Sequence, residues 1–340
     1  MILAGGLSTR LYPLTKQVPK PLVPVAGVPN AVHLVRYLKK YGYDEIAINV
    51  HYLATAIERT LGDGSDFGVR LTYLHEDVLM GSAGAVKAMQ GYFGDDVFVV
   101  VGCDDLTDLP LDELVAMHRD RDAVATIGLV VRPDVEQYGV VVCNEDGRIT
   151  GFQEKPARGT ERSKLVNTGI YAFSPRIFDF IPANEFYDFG KTVFPDLLAK
   201  SERFYGFDAR GAYWCDIGTP GEYRRASSDV VDGFFRIPDT RANGVDPTAV
   251  IATSARIDEN VWIGARVRVG EHVRIAGPSV IGDDVTIEDG ATLERSILWE
   301  RASVGEGATL RDAVVGMSYD VAAGTLLNGA VVANEEVSTG

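Results

Sequence analysis

A glycine pair follows a short apolar strand predicted over Ile2–Ala4. It opens the run Gly5-Gly6-Leu7-Ser8-Thr9-Arg10-Leu11, which continues through Pro13-Leu14-Thr15 to Pro19-Lys20-Pro21-Leu22. Glycines let backbone N–H groups come close to a phosphate. Arg10 and Lys20 add charged donors, and the prolines hold the loop open. Together these features describe a phosphate cradle, whereas a glycine pair after a strand would by itself mark only a tight turn. The Gly-Lys-Ser/Thr ending of a P-loop is absent, and so is the dinucleotide fingerprint. Far along the chain, Asp104 ends an apolar strand predicted over Val97–Val101. An acid at the carboxyl end of a strand lies in the ligand crevice of an α/β sheet. Asp216 follows a second β-like run, while Asp105 and Asp108 read as turn residues.

The elements that must position these groups fall into two patterns. Up to about residue 235, β-rich runs (Glu45–Val50, Val69–Leu74, Ala123–Val131) alternate with helical ones (Ala31–Tyr43, Ala54–Leu61, Ala83–Tyr92, Leu111–Arg121). Such alternation predicts βαβ units and a mostly parallel sheet. Past Tyr138, strands near Val140, Ile149 and Ile170 read as partly antiparallel, with helices near 191–200 and 220–233. A different pattern then begins. Val245, Ile251, Ile257, Ile263, Val269, Ile275, Ile281, Ile287 and Leu293 recur every six residues, with small or branched residues two positions earlier and Ser279 as the exception there. A strict six-residue period is not helical, and it predicts a hexapeptide β-helix. The register is read as slipping near Trp299–Val304 and recovering through Leu310 and Val314. The expected division is residues 1–235, a linker at 236–244, and the coil at 245–340.

The 48 acids and 33 bases among 340 residues leave a net charge of −15. That argues against a nucleic-acid partner held by bulk charge and against an anionic membrane surface. The charge is uneven, because six bases and no acid precede Asp44. Three scattered cysteines make no disulfide framework or zinc site. With no apolar run of spanning length and no charged leader, a cytoplasmic protein is expected.

The segment GGLSTRLYPLTKQVPKPLVPVAG resembles the signature of sugar-1-phosphate nucleotidylyltransferases. Met80-Gly81-Ser82-Ala83-Gly84, Gly102-Cys103-Asp104, Tyr138-Gly139-Val140, Phe152-Gln153-Glu154-Lys155-Pro156, Val166-Asn167-Thr168-Gly169-Ile170 and Trp214-Cys215-Asp216-Ile217-Gly218 also match, in family order. The hexapeptide tail is similar to that of the family's long branch. The resemblance covers nearly the whole chain. It implies a Rossmann-like nucleotidyltransferase domain with a mixed, mostly parallel sheet, followed by a left-handed parallel β-helix.

The resemblance also implies transfer of a nucleotidyl group from an NTP to a sugar 1-phosphate, giving an NDP-sugar and pyrophosphate. Arg10 and Lys20 would neutralise the triphosphate, and Asp104 and Asp216 would hold Mg2+. Leu3, Gly5, Gly6, Ser8, Thr9, Arg10, Glu76, Gly81, Ser82, Gly84 and Asp104 would surround the nucleotide. Gly81 and Gly84 open a helix N-terminus there, so backbone can approach the base. Gly139, Glu154, Lys155, Asn167 and Lys191 would take the sugar phosphate. Ser8 departs from the family's usual glycine. The turn at Gly81-Ser82-Ala83-Gly84 favours GTP with mannose 1-phosphate. Glucose 1-phosphate with ATP, UTP or dTTP, or a cyclitol phosphate with GTP, stays open. A regulatory relative that binds nucleotide sugars without turnover is the reading from another class, but it commonly lacks one of the charged groups present here. The coil is expected to mediate homo-oligomerisation.

Overall fold

The structure, a computed structural model, describes residues 1–238 and 240–334. The chain forms two compact units: Met1–Leu7 with Leu34–Trp214, and Ser8–His33 with the chain from Cys215 onward. Among the described residues no helix is long and apolar enough to cross a membrane.

The first unit is built on a mixed nine-stranded sheet. Ile2–Leu3 runs between Glu45–Val50 and Phe98–Gly102 and parallel to both, with Arg70–His75 parallel on the far side of Glu45–Val50. Glu45–Val50 and Phe98–Gly102 are rich in branched apolar residues because both their faces are covered, whereas the edge strand Arg70–His75 is only partly buried. Leu3 is in register with Asn49 and with Gly102, and Val50 with His75. The residues after each strand therefore emerge along one carboxyl edge, and they include Gly5, Glu76 and Asp104. The long strand Leu165–Phe173 runs antiparallel to Phe98–Gly102, Ala125–Val131 and Gly139–Cys143. Its register breaks between Asn167 and Tyr171. Stacked aromatics, including Phe173 on Phe189 with centroids 4.8 Å apart, fill the core behind it.

In the second unit, the chain from Gly244 winds through three parallel sheets. From Ile251 onward the six-residue positions point inward and form one column core, whereas Val245 in the first coil is exposed. Ile263 pairs with Ile281, eighteen residues on, but Ile281 pairs with Leu298, seventeen on. The repeat is thus not lost near Trp299. The corners after Leu293 and after Leu310 each drop one residue, and Leu298, Val304, Leu310, Val315 and Val321 continue the column. The inward residue is Val315 rather than Val314.

Ser279 is explained at the stacked corner one coil earlier. Its hydroxyl donates to the Ala276 carbonyl (2.6 Å) and accepts from Ser296 N (3.1 Å). Ser296 repeats the motif, donating to Glu294 O and accepting from Ala313 N. A polar side chain here supplies partners that the turning backbone would otherwise lack. Glycine follows Ile263, Val269 and Ile281 because of close approach. A Cβ on Gly264 would lie 2.3 Å from Asp283 Oδ1, and one on Gly282 would lie 2.7 Å from Glu300 N.

Candidate active site

Within the second unit, two cations converge on one carboxylate. Arg10 Nη2 lies 3.8 Å from Asp216 Oδ2, and Lys20 Nζ lies 3.7 Å from Asp216 Oδ1. These separations exceed those of direct charge-assisted hydrogen bonds. Lys20 is only 8% exposed, whereas half of the Arg10 side chain faces solvent. Gly218 closes the group: a Cβ there would come within 2.5 Å of Asp216 Oδ1, 2.8 Å of Arg10 Nη2 and 2.9 Å of Lys20 Nζ. Sequence reasoning quoted Gly218 in a motif but gave it no role. Its signal was a glycine two residues past the candidate acid.

Local turns carry the cations. Thr9–Leu11 and Lys20–Leu22 are short 3-10 turns. Ser8 caps the first in the left-handed region, at φ 57 and ψ 33. That conformation favours glycine, which accounts for glycine in the family pattern. The Ser8 carbonyl accepts from Thr15 Oγ1 (2.7 Å) and Leu11 N (3.2 Å), which anchors the turn.

Within the first unit, Leu3, Gly5, Gly6, Glu76 and Asp104 gather at the carboxyl edge of the sheet. Gly5 is buried, and a Cβ on it would meet Glu76 Oε2 at 2.6 Å and Asn49 Nδ2 at 2.7 Å. Gly6 is exposed with open space around it. Glu76 is buried with both oxygens engaged, one by Asn49 Nδ2 (2.6 Å) and one by Met80 N (3.0 Å). Asn49 Oδ1 in turn accepts from Ala4 N (2.9 Å), so Glu76 orders the strand end that leads into Gly5.

Asp105 is likewise committed. Its oxygens accept from Gly102 N and Trp214 Nε1, each at 2.9 Å. Asp108 accepts from Tyr213 N. Asp104, directly before Asp105 and half-buried, is the acid at the sheet edge. The bulge in Leu165–Phe173 packs here too, with Gly169 at φ 82 facing Asp105. The Asn167 amide spans that bulge: it accepts from Gly169 N (2.9 Å) and donates to the Tyr171 hydroxyl (3.1 Å).

The helix Gly81–Ala88 corrects one expectation. Its glycines do not open a bare N-terminus. The N–H groups of Ala83 and Gly84 already donate to the Tyr187 carbonyl, at 3.0 and 3.1 Å. A Cβ on Gly81 would lie 2.4 Å from that same oxygen, and one on Gly84 would lie 2.8 Å from Glu185 O. The close approach is therefore made by the chain's own segment 185–187. The Ser82 hydroxyl is used inwardly as well, donating to Asp188 Oδ2 and accepting from Phe189 N, each at 3.0 Å.

Asp188 was missed by sequence reasoning. An acid just ahead of Phe189-Gly190-Lys191 is a helix-start signal, and Asp188 Oδ1 accepts from the N–H groups of Gly190 and Lys191. Its charge faces Glu154, as do those of Lys155 and Lys191. A Cβ on Gly139 would lie 3.4 Å from Glu154 Oε2, and one on Gly190 would lie 2.9 Å from it. Lys155 is held at φ 46 with its N–H donating to Tyr138 O, a strained backbone that aims an exposed cation.

Burial pushes the Glu154 carboxyl above its ordinary range; Asp188 adds to the rise, and Lys155 and Lys191 oppose it. A raised carboxylate pKa in the fold means that ionised Glu154 costs stability. Stability is therefore lost as pH rises through the raised value. Glu154→Gln is expected to raise the Tm at pH 7, with the gain fading as pH falls below the ordinary glutamate range. Thermal melts across pH 4 to 8 check this, and an equal Tm shift at both ends would overturn it.

A Rossmann-like sheet with acids along its carboxyl edge, in a chain that continues into stacked parallel β coils, defines a nucleotide-handling transferase. The chain belongs to the nucleotidyl transferase family, whose model matches residues 1–233. A GMPPB C-terminal domain model matches residues 241–339. It is 36% identical to UTP–glucose-1-phosphate uridylyltransferase of Synechocystis, over 94% of this chain and 88% of that one. It is 32% identical to mannose-1-phosphate guanylyltransferase of Mycobacterium tuberculosis, over 87% and 82%. A Bacillus anthracis crystal structure assigned as a glucose-1-phosphate thymidylyltransferase superposes with a TM-score of 0.60 at 29% identity, over 66% of this chain and 92% of that one. Enzymes of this family generally use a divalent metal ion.

Proposed function

We propose that this enzyme transfers a nucleotidyl group from GTP to mannose 1-phosphate, releasing pyrophosphate. The observation that carries the reading is the convergence of Arg10 and Lys20 on Asp216, bounded by Gly218. The sugar phosphate is the nucleophile. Its second pKa, about 6 for phosphomonoesters, leaves it mostly dianionic at neutral pH, so no general base is needed. Catalysis then rests on in-line positioning and on neutralising charge. Arg10 and Lys20 act on the triphosphate and the leaving pyrophosphate. Lys155 grips the sugar phosphate as a point charge, and Glu154 accepts from sugar hydroxyls. Asn167, Gly139 and Lys191 complete that subsite. Leu3, Gly5, Gly6, Ser8 and Thr9 offer backbone to the nucleotide, which Glu76, Gly81, Ser82 and Gly84 serve by ordering the chain around it.

Asp104 and Asp216 are the carboxylates assigned to magnesium, which when bound supplies charge neutralisation at the phosphates. The donor chemistry fits. Both are hard oxygen ligands, of the kind magnesium takes beside phosphate and water. The enzyme is taken to be cytoplasmic and homo-oligomeric, with the functional division falling at residues 236–244.

Glucose 1-phosphate with UTP is the second reading, favoured by the 36% identity to the Synechocystis uridylyltransferase. Pyrophosphate release measured with four NTPs, each against mannose and glucose 1-phosphates, with magnesium, separates the two. Turnover with no pair would sink the catalytic reading in favour of a regulatory relative.

A further inference from the structure

The loop bearing Lys20 is seated by the coil of its own unit. After the turn Lys20–Leu22 the chain forms a hairpin, Pro24–Val25 paired with Val28–Pro29. The Pro24 carbonyl accepts from the Tyr223 hydroxyl (2.7 Å). That hydroxyl accepts from Trp299 Nε1 (2.9 Å), and both aromatic side chains are almost wholly buried. At the hairpin tip Gly27 lies flat on a second tryptophan; a Cβ there would be 2.1 Å from Trp262 Cη2. The Arg241 guanidinium covers the Trp262 ring at 5.0 Å.

Tyr223 also stands in the first turn of the helix Pro220–Val231, capped by Thr219 directly after Gly218. One phenol thus ties together the strand leaving Lys20 and the helix that follows Asp216. The Lys20–Asp216 separation is set by two short segments whose common fixed point is this hydroxyl.

We propose that Tyr223 and Trp299 are positioning residues for nucleotidyl transfer, holding the Lys20 loop at its working distance from Asp216. The proposal rests on the functional reading above for what Lys20 does, but not for what holds it. Tyr223→Phe keeps the ring and removes the hydroxyl, leaving the Pro24 carbonyl and the Trp299 N–H without this link. The geometry of Lys20 loosens while the column core of the coil is untouched.

In the full-length protein, Tyr223→Phe should lower kcat about tenfold, as a small misplacement of a charged group does, with KM for the sugar phosphate unchanged within about twofold. In a Lys20→Met background the same change should cost less than about twofold, because its effect passes through Lys20. Hydrogen exchange gives a readout independent of turnover. The amides of Leu22 and Val23, which donate to Pro19 and Lys20 carbonyls, should exchange at least about tenfold faster. Those of Gly264 and Gly282 in the coil should not change. Trp299→Phe should repeat the pattern.

Wild-type kcat in Tyr223→Phe, full additivity with Lys20→Met, or equal acceleration of loop and coil amides would each overturn the proposal. If the wild-type protein turned over no substrate pair, the functional reading would fail. The exchange of Leu22 and Val23 would then decide the positioning role alone, and an unchanged rate would refute it.

Discussion

Asp216→Asn is expected to lower kcat about 10³-fold, the upper range for loss of a preorganised charge. Asparagine keeps the shape of the side chain and removes its charge. Two cations face that charge at 3.7 and 3.8 Å, and one of them, Lys20, is buried. Losing the carboxylate removes an opposite charge that faces the ammonium in a poorly solvated place. Breaking a buried ion pair from one side costs about 3–5 kcal/mol when the pair is tight. These separations are long for a direct bond, so a loss of about 1–3 kcal/mol is the expected range here. The double variant Lys20→Met/Asp216→Asn removes the buried ammonium as well. It should recover most of the stability and none of the turnover. Urea midpoints together with pyrophosphate release separate these quantities. An Asp216→Asn enzyme within fivefold of wild type would remove Asp216 from the reaction.

Gly218→Ala should cost about 10²-fold in kcat with little loss of stability. Its added methyl meets the ends of three flexible side chains rather than backbone. Those ends can swing aside, so the fold survives. Moving them disperses the Arg10, Lys20 and Asp216 arrangement, and a shift on the order of 1 Å is enough to cost that factor. The left-handed region is not required at Gly218, so alanine brings no backbone strain. Gly5→Ala offers a contrast. Its methyl meets the buried Glu76 and Asn49, whose bonds to Met80 and Ala4 would have to break. That variant should lose stability as well as turnover. Normal kcat in Gly218→Ala would show that close packing around Asp216 is not needed.

Local signals were the readable part of this chain. Glu45–Val50 and Ala54–Leu61 form over the residues their patterns indicate, because apolar period and strand or helix propensity agree there. The six-residue column was equally plain, since burial of every sixth side chain leaves its mark directly in sequence. What misled was the loss of one residue at the corner after Leu293 and again at the corner after Leu310. Each loss moves the frame without ending the architecture, and a fixed period cannot follow it past Leu293.

Reading the site had a similar limit. Arg10, Lys20 and Asp216 carry charges whose meeting could be anticipated from type. The space above Gly81 and Gly84 could not, because it is filled by Glu185–Tyr187, about a hundred positions away. Asp105 reads in the sequence as a turn residue, and the indole of Trp214 and the amide of Gly102 are the distant partners that bind it inward.

The Tyr223 hydroxyl reaches Pro24 across 199 residues, and Gln17 bonds the Asn334 carbonyl across 317. The cation-bearing loop is therefore among the first pieces to leave the ribosome and among the last to find its seat. At roughly 5–20 residues per second, it waits tens of seconds for Trp299 to be made. A chain broken off before that point carries every charged residue of the chemistry but lacks the indole that bonds the Tyr223 hydroxyl.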